Sequence, residues 1–523
     1  MLRAHPADRP DDRLAMRRTR LAVLLGFFLA GCPAAAPDSG RFAGDAAASL
    51  PDTNPAGSDS AAATEDTATS QPDTSVAPGA DAAASDVGAA DAGGGKGLCA
   101  NGIGLYAKSF STGGGEAAYA SVLLADGGAL LVGDSGTLNK TDMFALRISA
   151  VGTTLWSQTY GGAQDDHGSG ALALTDGFAV VGTTRSKGAG YGDGWLVRTD
   201  AKGVLLWDKT YGGNGDDALY GIAPAGDGFV LAGMNRSLGG GLDDGWLVRT
   251  DASGGVLWEN KYGGSSIDAF AAVVALPGGG FAAAGVNNSI ASQGSDAWLV
   301  FVDGKGKQGI EKVFGLGEND DAKALTRLPD GGFALTGVAS QNGNPQLWVI
   351  RTGADGGLLW KDVVGGNQSE EGHGITAFPD GSLAVTGFTD SPNASGASSG
   401  EDGWLLRYDP WGNRLWDLRF GGSGNEWLYA VQAMADGSLL LAGRLYDQAT
   451  SYNAWFLRMD AWGHTDCSKA GACKAKAAGD CDDGNACTID TCDNIDGCTH
   501  AALPVGAACG SGAVCGTTSC TSN

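Results

Sequence analysis

The chain has 523 residues and a formal net charge of −25 at pH 7, from 59 Asp and Glu against 34 Lys and Arg. This length allows several domains or one large repeat array with small appendages. The acidic balance excludes nucleic acid and anionic membranes as charge-driven partners, because few basic groups remain to offset phosphate repulsion.

Residues 1–31 predict an export signal. Arg17, Arg18 and Arg20 precede an apolar run, residues 21–30, that is too short to span a bilayer as a mature helix. The acidic residues before Met16 leave both Met1 and Met16 as candidate start sites.

The sequence Leu-Ala-Gly-Cys at residues 29–32 resembles the lipobox of bacterial lipoproteins. In that family the signal is cleaved before the cysteine, which then carries the acyl chains. The resemblance implies lipidation at Cys32, and several acyl chains would hold the protein firmly in a membrane. Pro33 stands where an Asp would favour the inner membrane, so we expect an outer-membrane address and exposure on the cell surface.

Residues 32–97 predict a disordered tether. Ala, Asp, Ser, Thr, Pro and Gly dominate the segment, and Phe42 is its only aromatic residue. Such a composition buries too little apolar surface to offset the entropy of ordering. As a flexible coil it would extend roughly 40 to 50 Å between its ends.

Residues 98–466 predict a β-propeller, because a unit of about fifty residues with four short strands repeats seven times. The residue that ends the last strand of each unit recurs every 50 to 56 positions, at Phe110, Tyr160, Tyr211, Tyr262, Phe314, Val364 and Phe420. In six units the aromatic residue opening the third strand lies 12 positions before its counterpart in the fourth, as in Trp195 and Trp207. One hairpin length implies one register, and the 14 Trp are predicted to pack between neighbouring sheets.

The two ends of the repeat predict how the ring closes. Residues 104–110 match the fourth strand of a unit, and residues 455–459 match the third strand of the last unit. An N-terminal strand would therefore complete the last blade and remove an open sheet edge. The expected fold is all-β: a seven-bladed β-propeller of four-stranded blades with N-terminal strand closure, followed by a small disulfide-rich tail.

The recurring pattern Asp-Gly-Trp-Leu-x-Arg-x-Asp, a second strand containing Leu-Trp, and Tyr-Gly-Gly, as in residues 193–213, resembles the bacterial β-propeller repeat of secreted and surface proteins. More distantly it resembles the Trp-containing repeat of quinoprotein propellers. The resemblance implies the fold and leaves the function open, because propellers host unrelated activities.

Residues 467–523 predict a disulfide-rich tail, because nine Cys lie among few large apolar residues. Residues 481–498 resemble the Cys-rich repeat of myxobacterial and slime-mould extracellular proteins. Zinc is disfavoured, since no Cys-x-x-Cys pair is present. We hypothesise a bridge between Cys99 and Cys467, which flank the propeller. The disulfide candidates are Cys99, Cys467, Cys473, Cys481, Cys487, Cys492, Cys498, Cys509, Cys515 and Cys520.

An acid follows each strand-ending residue by six positions, and the predicted topology places these acids around one mouth of the central channel. They are Glu116, Asp166, Asp217, Asp268, Asp320, Glu370 and Glu426. One interpretation is a cation-binding mouth, with Ca²⁺ as the alternative to our expectation of no cofactor. The favoured interpretation is structural: each carboxylate accepts backbone N–H bonds in its Gly-rich turn or pairs with an arginine. The candidate arginines are Arg147, Arg198, Arg249, Arg351, Arg407 and Arg458.

Three positions beyond each acid the residue type varies between units, as expected of a binding surface. These residues are Tyr119, Ser169, Tyr220, Ala271, Lys323, His373 and Tyr429. The loops between second and third strands, such as residues 235–244 and 389–402, differ in length. Together they form the predicted recognition surface.

Signals of catalysis are weak. His167, His373 and His464 show no metal-ligand spacing, and no nucleophile-elbow, metalloprotease or phosphate-loop motif is present. We therefore predict no catalytic, cofactor or metal residue. The leading hypothesis is a non-catalytic envelope lipoprotein that presents the propeller to a protein or glycan. The alternatives are a periplasm-facing outer-membrane assembly scaffold and a propeller enzyme acting on glycans.

Overall fold

The computed structural model describes residues 105–465, except 138–139, 239–241, 291–293, 316–317, 342, 393–399, 422–423, 448–450 and 462, together with the backbone of four short strands nearer the C-terminus. All regular elements in these residues are β-strands. No helix in this part of the chain is long and apolar enough to cross a membrane. The predicted signal, residues 1–31, and tether, residues 32–97, lie outside the described residues.

The strands have the following bounds. The first half comprises β1 (Tyr106–Phe110), β2 (Gly115–Leu123), β3 (Ala129–Thr137), β4 (Lys140–Ile148), β5 (Thr154–Tyr160), β6 (Asp166–Leu174), β7 (Gly177–Thr184), β8 (Asp193–Asp200), β9 (Leu205–Tyr211), β10 (Asp217–Ala225), β11 (Gly228–Asn235), β12 (Asp244–Thr250), β13 (Val256–Tyr262) and β14 (Asp268–Ala275). The second half comprises β15 (Phe281–Asn287), β16 (Asp296–Val302), β17 (Gln308–Phe314), β18 (Asp320–Arg327), β19 (Phe333–Gln341), β20 (Asn344–Thr352), β21 (Leu358–Val364), β22 (Glu370–Ala377), β23 (Leu383–Thr389), β24 (Asp402–Tyr408), β25 (Arg414–Phe420), β26 (Trp427–Ala433), β27 (Leu439–Asp447) and β28 (Ser451–Met459). The tail contributes β29 (Thr488–Asp493), β30 (Gly497–Ala502), β31 (Ala513–Cys515) and β32 (Cys520–Ser522).

Strands β1 to β28 form seven four-stranded antiparallel sheets, the blades. Blades 1 to 6 each use four consecutive strands, from β2–β5 through β22–β25, and blade 7 consists of β26, β27, β28 and β1. The innermost strand of every blade contacts the innermost strand of the next, and β2 contacts β26. The ring is therefore closed, and the predicted seven-bladed β-propeller is confirmed.

Strand β1 completes blade 7, as the sequence predicted. It pairs antiparallel with β28, with Tyr106 opposite Arg458 and Phe110 opposite Ala454. Tyr106 is 4% exposed and packs edge-on against Phe456, with 6.0 Å between ring centroids. The N-terminal strand thus covers the edge of β28 and joins the two ends of the ring.

The outer hairpins of blades 1 to 6 share one register, which confirms the prediction from spacing. In five of them an arginine on the third strand faces a tryptophan on the fourth, as Arg198 faces Trp207. All six have a register shift at the same place in the third strand. The register is fixed because the third strand is buried between neighbouring blades, so a one-residue slip would turn its apolar side chains to solvent.

The core lies between blades rather than inside any one of them. The cluster between blades 1 and 2, for example, joins Met143 of β4 to Phe178 and Trp195 of blade 2. Trp195, Trp246, Trp298 and Trp348 are fully buried in this way. Each large ring stabilises two sheets at once, and truncation of such a ring to Ala costs about 3 to 5 kcal/mol.

Each blade has two ends, which we name for what they carry. The loop face carries the loops between second and third strands and the start of each innermost strand. The turn face carries the tight turns between first and second and between third and fourth strands. Because β1 begins beside Arg458 near the end of β28, the chain enters and leaves the propeller at the turn face.

In the tail, β29 pairs with β30 and β31 pairs with β32. Cys492 lies opposite Cys498, and Cys515 lies opposite Cys520. No predicted disulfide cysteine belongs to the residues whose side chains the structure describes, and Cys99 and Cys467 lie outside the described residues altogether. The disulfide framework stays a prediction.

Candidate functional site

Every innermost strand carries a β-bulge at the same position, and the bulge leaves one residue outside the ladder. The seven residues that the register skips are Tyr119, Ser169, Tyr220, Ala271, Lys323, His373 and Tyr429. A bulge re-aims the side chain of its extra residue. All seven are partly exposed. These are the positions that vary between units, and the structure places them around the central channel.

The seven acids begin or directly adjoin the innermost strands at the loop face, and all are at most 2% exposed. Asp217 shows how they are used. Its Oδ1 accepts the backbone N–H groups of Arg236 at 2.8 Å and Ser237 at 3.1 Å. Its Oδ2 accepts the N–H of Gly213 at 2.8 Å and the Ser237 hydroxyl. One carboxylate thus joins the glycine turn that enters the blade to the start of the loop after the second strand.

Other blades repeat this arrangement. The N–H of a turn residue donates to the acid four positions later in the pairs Thr112–Glu116, Gly162–Asp166, Gly264–Asp268 and Gly366–Glu370. In the part of the chain that the structure describes, no group of three or more His, Cys, Asp or Glu is placed to hold a metal ion. These hydrogen bonds are the structural role that the sequence analysis weighed against a cation site.

The arginines named as partners for these acids pair elsewhere, and that part of the interpretation is wrong. They bind turn-face aspartates in the pairs Arg147–Asp126, Arg198–Asp176, Arg249–Asp227, Arg351–Asp330 and Arg458–Asp436. Arg407 donates to the hydroxyl of Ser382 and the carbonyl of Leu383, both at 3.0 Å. The physical reason is strand direction: each arginine lies near the end of a third strand, at the turn face, whereas the acids lie at the loop face.

On one side of the channel the bulged residues of blades 5, 6, 7 and 1 form a connected cluster with Glu371. We call Lys323, Glu371, His373, Tyr429 and Tyr119 the polar arc. Glu371 Oε2 accepts from Lys323 Nζ at 2.6 Å and from His373 Nε2 at 3.0 Å. The imidazole stacks on the Tyr429 ring at 5.0 Å, and Tyr119 meets Tyr429 edge-on at 4.8 Å.

The charges of the polar arc stabilise one another. Burial alone would raise the pKa of Glu371, but Lys323 and the hydrogen bond from His373 outweigh it and hold the pKa at about 2. Burial would likewise lower the pKa of Lys323, whereas Glu371 and Asp321 raise it. Both groups are therefore charged at neutral pH. The Lys323 side chain, 26% exposed, stays accessible from the channel, while Glu371 is 8% exposed.

His373 holds the one unpartnered nitrogen in the polar arc. Burial lowers its pKa despite the bond to Glu371, so the ring is neutral near pH 7. Since Nε2 donates to Glu371, Nδ1 is an acceptor, and it has no hydrogen-bond partner in the described structure. An unsatisfied buried acceptor costs about 1 to 3 kcal/mol.

The cluster continues from Tyr119 toward blade 2. The Tyr119 hydroxyl is hydrogen-bonded to Asp134, and Asp134 Oδ2 lies 2.7 Å from His167 Nδ1. Asp134 raises the pKa of His167 even though burial opposes it. Across the channel the bulged residues of blades 2, 3 and 4 are Ser169, Tyr220 and Ala271, none of which carries a formal charge at pH 7.

Sequence reasoning singled out the bulged residues but missed Glu371, Asp134 and the cage around Trp427. The Trp427 ring stacks on Phe388 at 4.6 Å, and the Arg444 guanidinium covers it at 3.8 Å. The sequence did contain a signal for Glu371. In blade 6 the loop-face acid Glu370 is followed by a second Glu, whereas in four other blades the residue after the acid is Ala or Trp. No spacing rule would have joined Phe388 and Arg444, because they lie on different blades.

One family model matches the chain. The model, described as a Dictyostelium (slime mold) repeat, matches residues 480–503. The tail therefore contains a Cys-rich repeat of the slime-mould type, as the sequence predicted. A search of curated proteins found no significant match.

Solved structures share the architecture at low identity. The Pan2 WD40 domain of Neurospora crassa is 10% identical, with a TM-score of 0.41 over 66% of this chain and 89% of that one. Sqt1 of Chaetomium thermophilum bound to the N-terminus of ribosomal protein L10 is 12% identical, with a TM-score of 0.36 over 64% and 94%. Drosophila Plexin A in complex with Semaphorin 1b is 8% identical, with a TM-score of 0.41 over 77% and 94%. Likenesses at this level carry no functional argument.

Proposed function

We propose that the protein is a non-catalytic lipoprotein of the outer membrane, anchored through Cys32, whose propeller is a binding or scaffold module for a protein or a glycan at the cell surface. The lipobox-like residues 29–32 and the tether-like composition of residues 32–97 support the anchor. The closed ring supports the module, because it supplies a rigid frame for variable side chains.

The polar arc is the observation that carries the binding role. Five of the loop-face acids accept a hydrogen bond from the turn before their strand, whereas the bulged residues take no part in the ladder and stay partly exposed. Lys323, whose side chain is 26% exposed, offers a donor to the channel. Peptide carbonyl groups and sugar hydroxyls both supply the matching acceptors.

The direction of the chain supports recognition at the loop face. The segment before β1 joins the propeller at the turn face, so a tether would leave from there. The bulged residues lie three positions inside the loop-face acids, roughly 10 Å into the channel at the usual rise of a strand. A ligand approaching from outside would meet the loops first and the polar arc next.

Direct binding tests this role. We compare the full mature chain with Lys323→Met/Glu371→Gln, which removes both charges of the polar arc together, and with Lys202→Met, a control at an exposed turn-face lysine. Each is applied to a glycan array and to isolated envelope proteins, and the Kd of every ligand found is measured. We expect binding at least about tenfold weaker for the double variant, a loss of about 1.4 kcal/mol, and no change for the control. Ligands that bind all three proteins equally would place recognition elsewhere.

Protease shaving tests the address. If the propeller is cleaved from intact cells while a periplasmic marker survives, the surface assignment holds. If cleavage requires an opened outer membrane, the protein faces the periplasm, and an assembly scaffold becomes the better proposal.

One observation favours an enzyme acting on glycans as the second candidate. Burial raises the pKa of Asp321, while Lys323 and His373 lower that of Glu371 to about 2. Two carboxyl groups with opposite shifts beside one lysine are the pattern of an acid and base pair. Release of reducing sugar by the wild type and its loss in Glu371→Gln would establish this alternative.

A further inference from the structure

The interfaces between neighbouring blades repeat one contact. A tryptophan on the fourth strand donates its indole N–H to a carbonyl in the third-to-fourth-strand turn of the next blade. Three interfaces show it: Trp156 to Ala201 at 3.3 Å, Trp258 to Gly304 at 3.1 Å and Trp360 to Pro410 at 3.2 Å. A tyrosine four positions after the tryptophan adds a second bond, as Tyr160 does to Gly203 at 2.6 Å and Tyr262 to Gly306 at 2.6 Å.

The interface between blades 4 and 5 lacks both donors. Ile310 stands at the tryptophan position and Phe314 at the tyrosine position, and neither side chain can donate. By the repeat, the matching acceptors in blade 5 are the carbonyls of Ala354 and Gly356. This interface therefore lacks the two hydrogen bonds that the interfaces between blades 1 and 2 and between blades 3 and 4 both make.

An aromatic ring from the third strand replaces part of the lost packing. Phe301 stands where the six other blades have an arginine, and its ring packs on Phe333 at 5.3 Å. In the sister interfaces the fourth-strand indole makes this contact, as Trp156 does with Phe178 at 5.9 Å. Blade 4 thus carries its aromatic ring on β16 rather than on β17. A surface cavity lies where the sister interfaces hold the indole.

This cavity, which we call the rim groove, has a volume of about 470 Å³. Its lining includes Phe301, Lys307, Gln308, Ile310, Ala354 and Asp355. Ile310 is 52% exposed, so the groove is open from outside. Phe301 and Ile310 supply an apolar floor. The Ala354 carbonyl is equivalent by repeat position to the carbonyls of Ala201, Gly304 and Pro410, which accept the indole N–H in the sister interfaces.

We propose that the rim groove binds an aromatic side chain, an indole above all, from a partner protein. The three sister interfaces show the same frame holding an indole with its N–H on the equivalent carbonyl. Residues 32–104 contain one aromatic residue, Phe42, and residues 466–523 contain none, so neither segment offers an indole and we assign the occupant to a partner protein. The groove lies on the outer rim near the turn face, away from the polar arc, and so adds a second contact surface to the propeller.

Ligand-observed ¹⁹F NMR with 5-fluoroindole tests the proposal on the full mature chain. We expect saturable line broadening with the wild type and a Kd at least about tenfold weaker with Ile310→Trp, because the new indole fills the groove. Ile290→Trp is the matched control: it adds a tryptophan at a loop-face isoleucine that is also 52% exposed, and it must bind like the wild type. The peptide acetyl-Gly-Trp-Gly-amide should displace the probe, and acetyl-Gly-Leu-Gly-amide should not.

Three results would overturn the proposal: no saturable binding by the wild type, equal binding by Ile310→Trp, or equal displacement by the two peptides. If Ile310→Trp does not fold, Ile310→Arg replaces it. A charge on the apolar floor must weaken binding of the probe to the same extent, and undiminished binding by that variant would also overturn the proposal. Because this readout does not involve the polar arc, it can fail while the proposed function stands.

Discussion

The role of the acid ring can be decided at Asp217. Each of its oxygens accepts two hydrogen bonds. Asp217→Asn replaces one of these oxygens with an amide N–H₂ group, which cannot accept either of them. Hydrogen bonds to a charged group contribute about 1.5 to 3 kcal/mol each, and at least one backbone N–H is left buried and unpaired. The Ser237 hydroxyl can rotate toward another acceptor, so we take the lower end of the range for each bond. Loss of two hydrogen bonds at about 1.5 kcal/mol each should lower the free energy of unfolding by about 3 kcal/mol.

Chemical denaturation measures this change as a shift in midpoint at constant slope. The control is Asp227→Asn in the same blade, whose carboxylate is 83% exposed and lies 3.9 Å from Arg249. A weak surface pair of this kind should change the unfolding free energy by less than about 0.5 kcal/mol. The structural interpretation fails if both variants are equally stable and if Asp217→Asn/Asp268→Asn also loses a Ca²⁺ affinity that the wild type possesses.

Three further outcomes are expected. Deletion of residues 105–110 exposes the edge of β28 and should replace the single unfolding transition by aggregation or a broad loss of signal; an unchanged melting curve would contradict closure through β1. The pKa of Glu371 is about 2 in the folded chain against an ordinary 4.5, so its stabilisation is complete above pH 4.5 and is lost as the pH falls to 2. Glu371→Gln should remove about 3 kcal/mol of that acid dependence in unfolding measured from pH 6 to 2, and equal dependence in both proteins would refute it. Peptide mapping without reductant should find Cys99 linked to Cys467, and a free Cys99 would rule the bridge out.

The fold could be predicted from the sequence because the same hairpin spacing occurs in six units of the repeat. A single interval of 12 residues between Trp195 and Trp207 would permit several hairpins, but six equal intervals permit one register. The buried third strand enforces that register, since every apolar side chain on it would be displaced by a slip. Closure by residues 104–110 could be predicted for the same reason: a fourth strand stood at the start of the chain and a third strand at its end.

The site was harder to predict because its contacts join blades that are far apart in the sequence. Lys323 and Glu371 are 48 positions apart, and Tyr119 and Tyr429 meet only because the ring closes. The arginine partners were wrong for a related reason. A repeat shows which residue types recur together, but charge alone could not decide which acid each arginine reaches. Strand direction decides it, and it places Arg198 at the turn face of blade 2, opposite the loop face where Asp166 of that blade lies.

Two positions of each innermost strand, three residues apart, have different roles: one stabilises the fold and the other is free to vary. The position that starts an innermost strand is acidic in every blade, as Asp or Glu, and in five blades its carboxylate accepts a backbone N–H from the preceding turn. The residue three positions later is released from the ladder by its bulge, so a change there leaves the register and the interface intact. Binding chemistry can therefore differ from blade to blade without loss of the fold. Lys323 and His373 are found where this freedom exists, and Ala271 at the same position of blade 4 shows that no packing demand requires them.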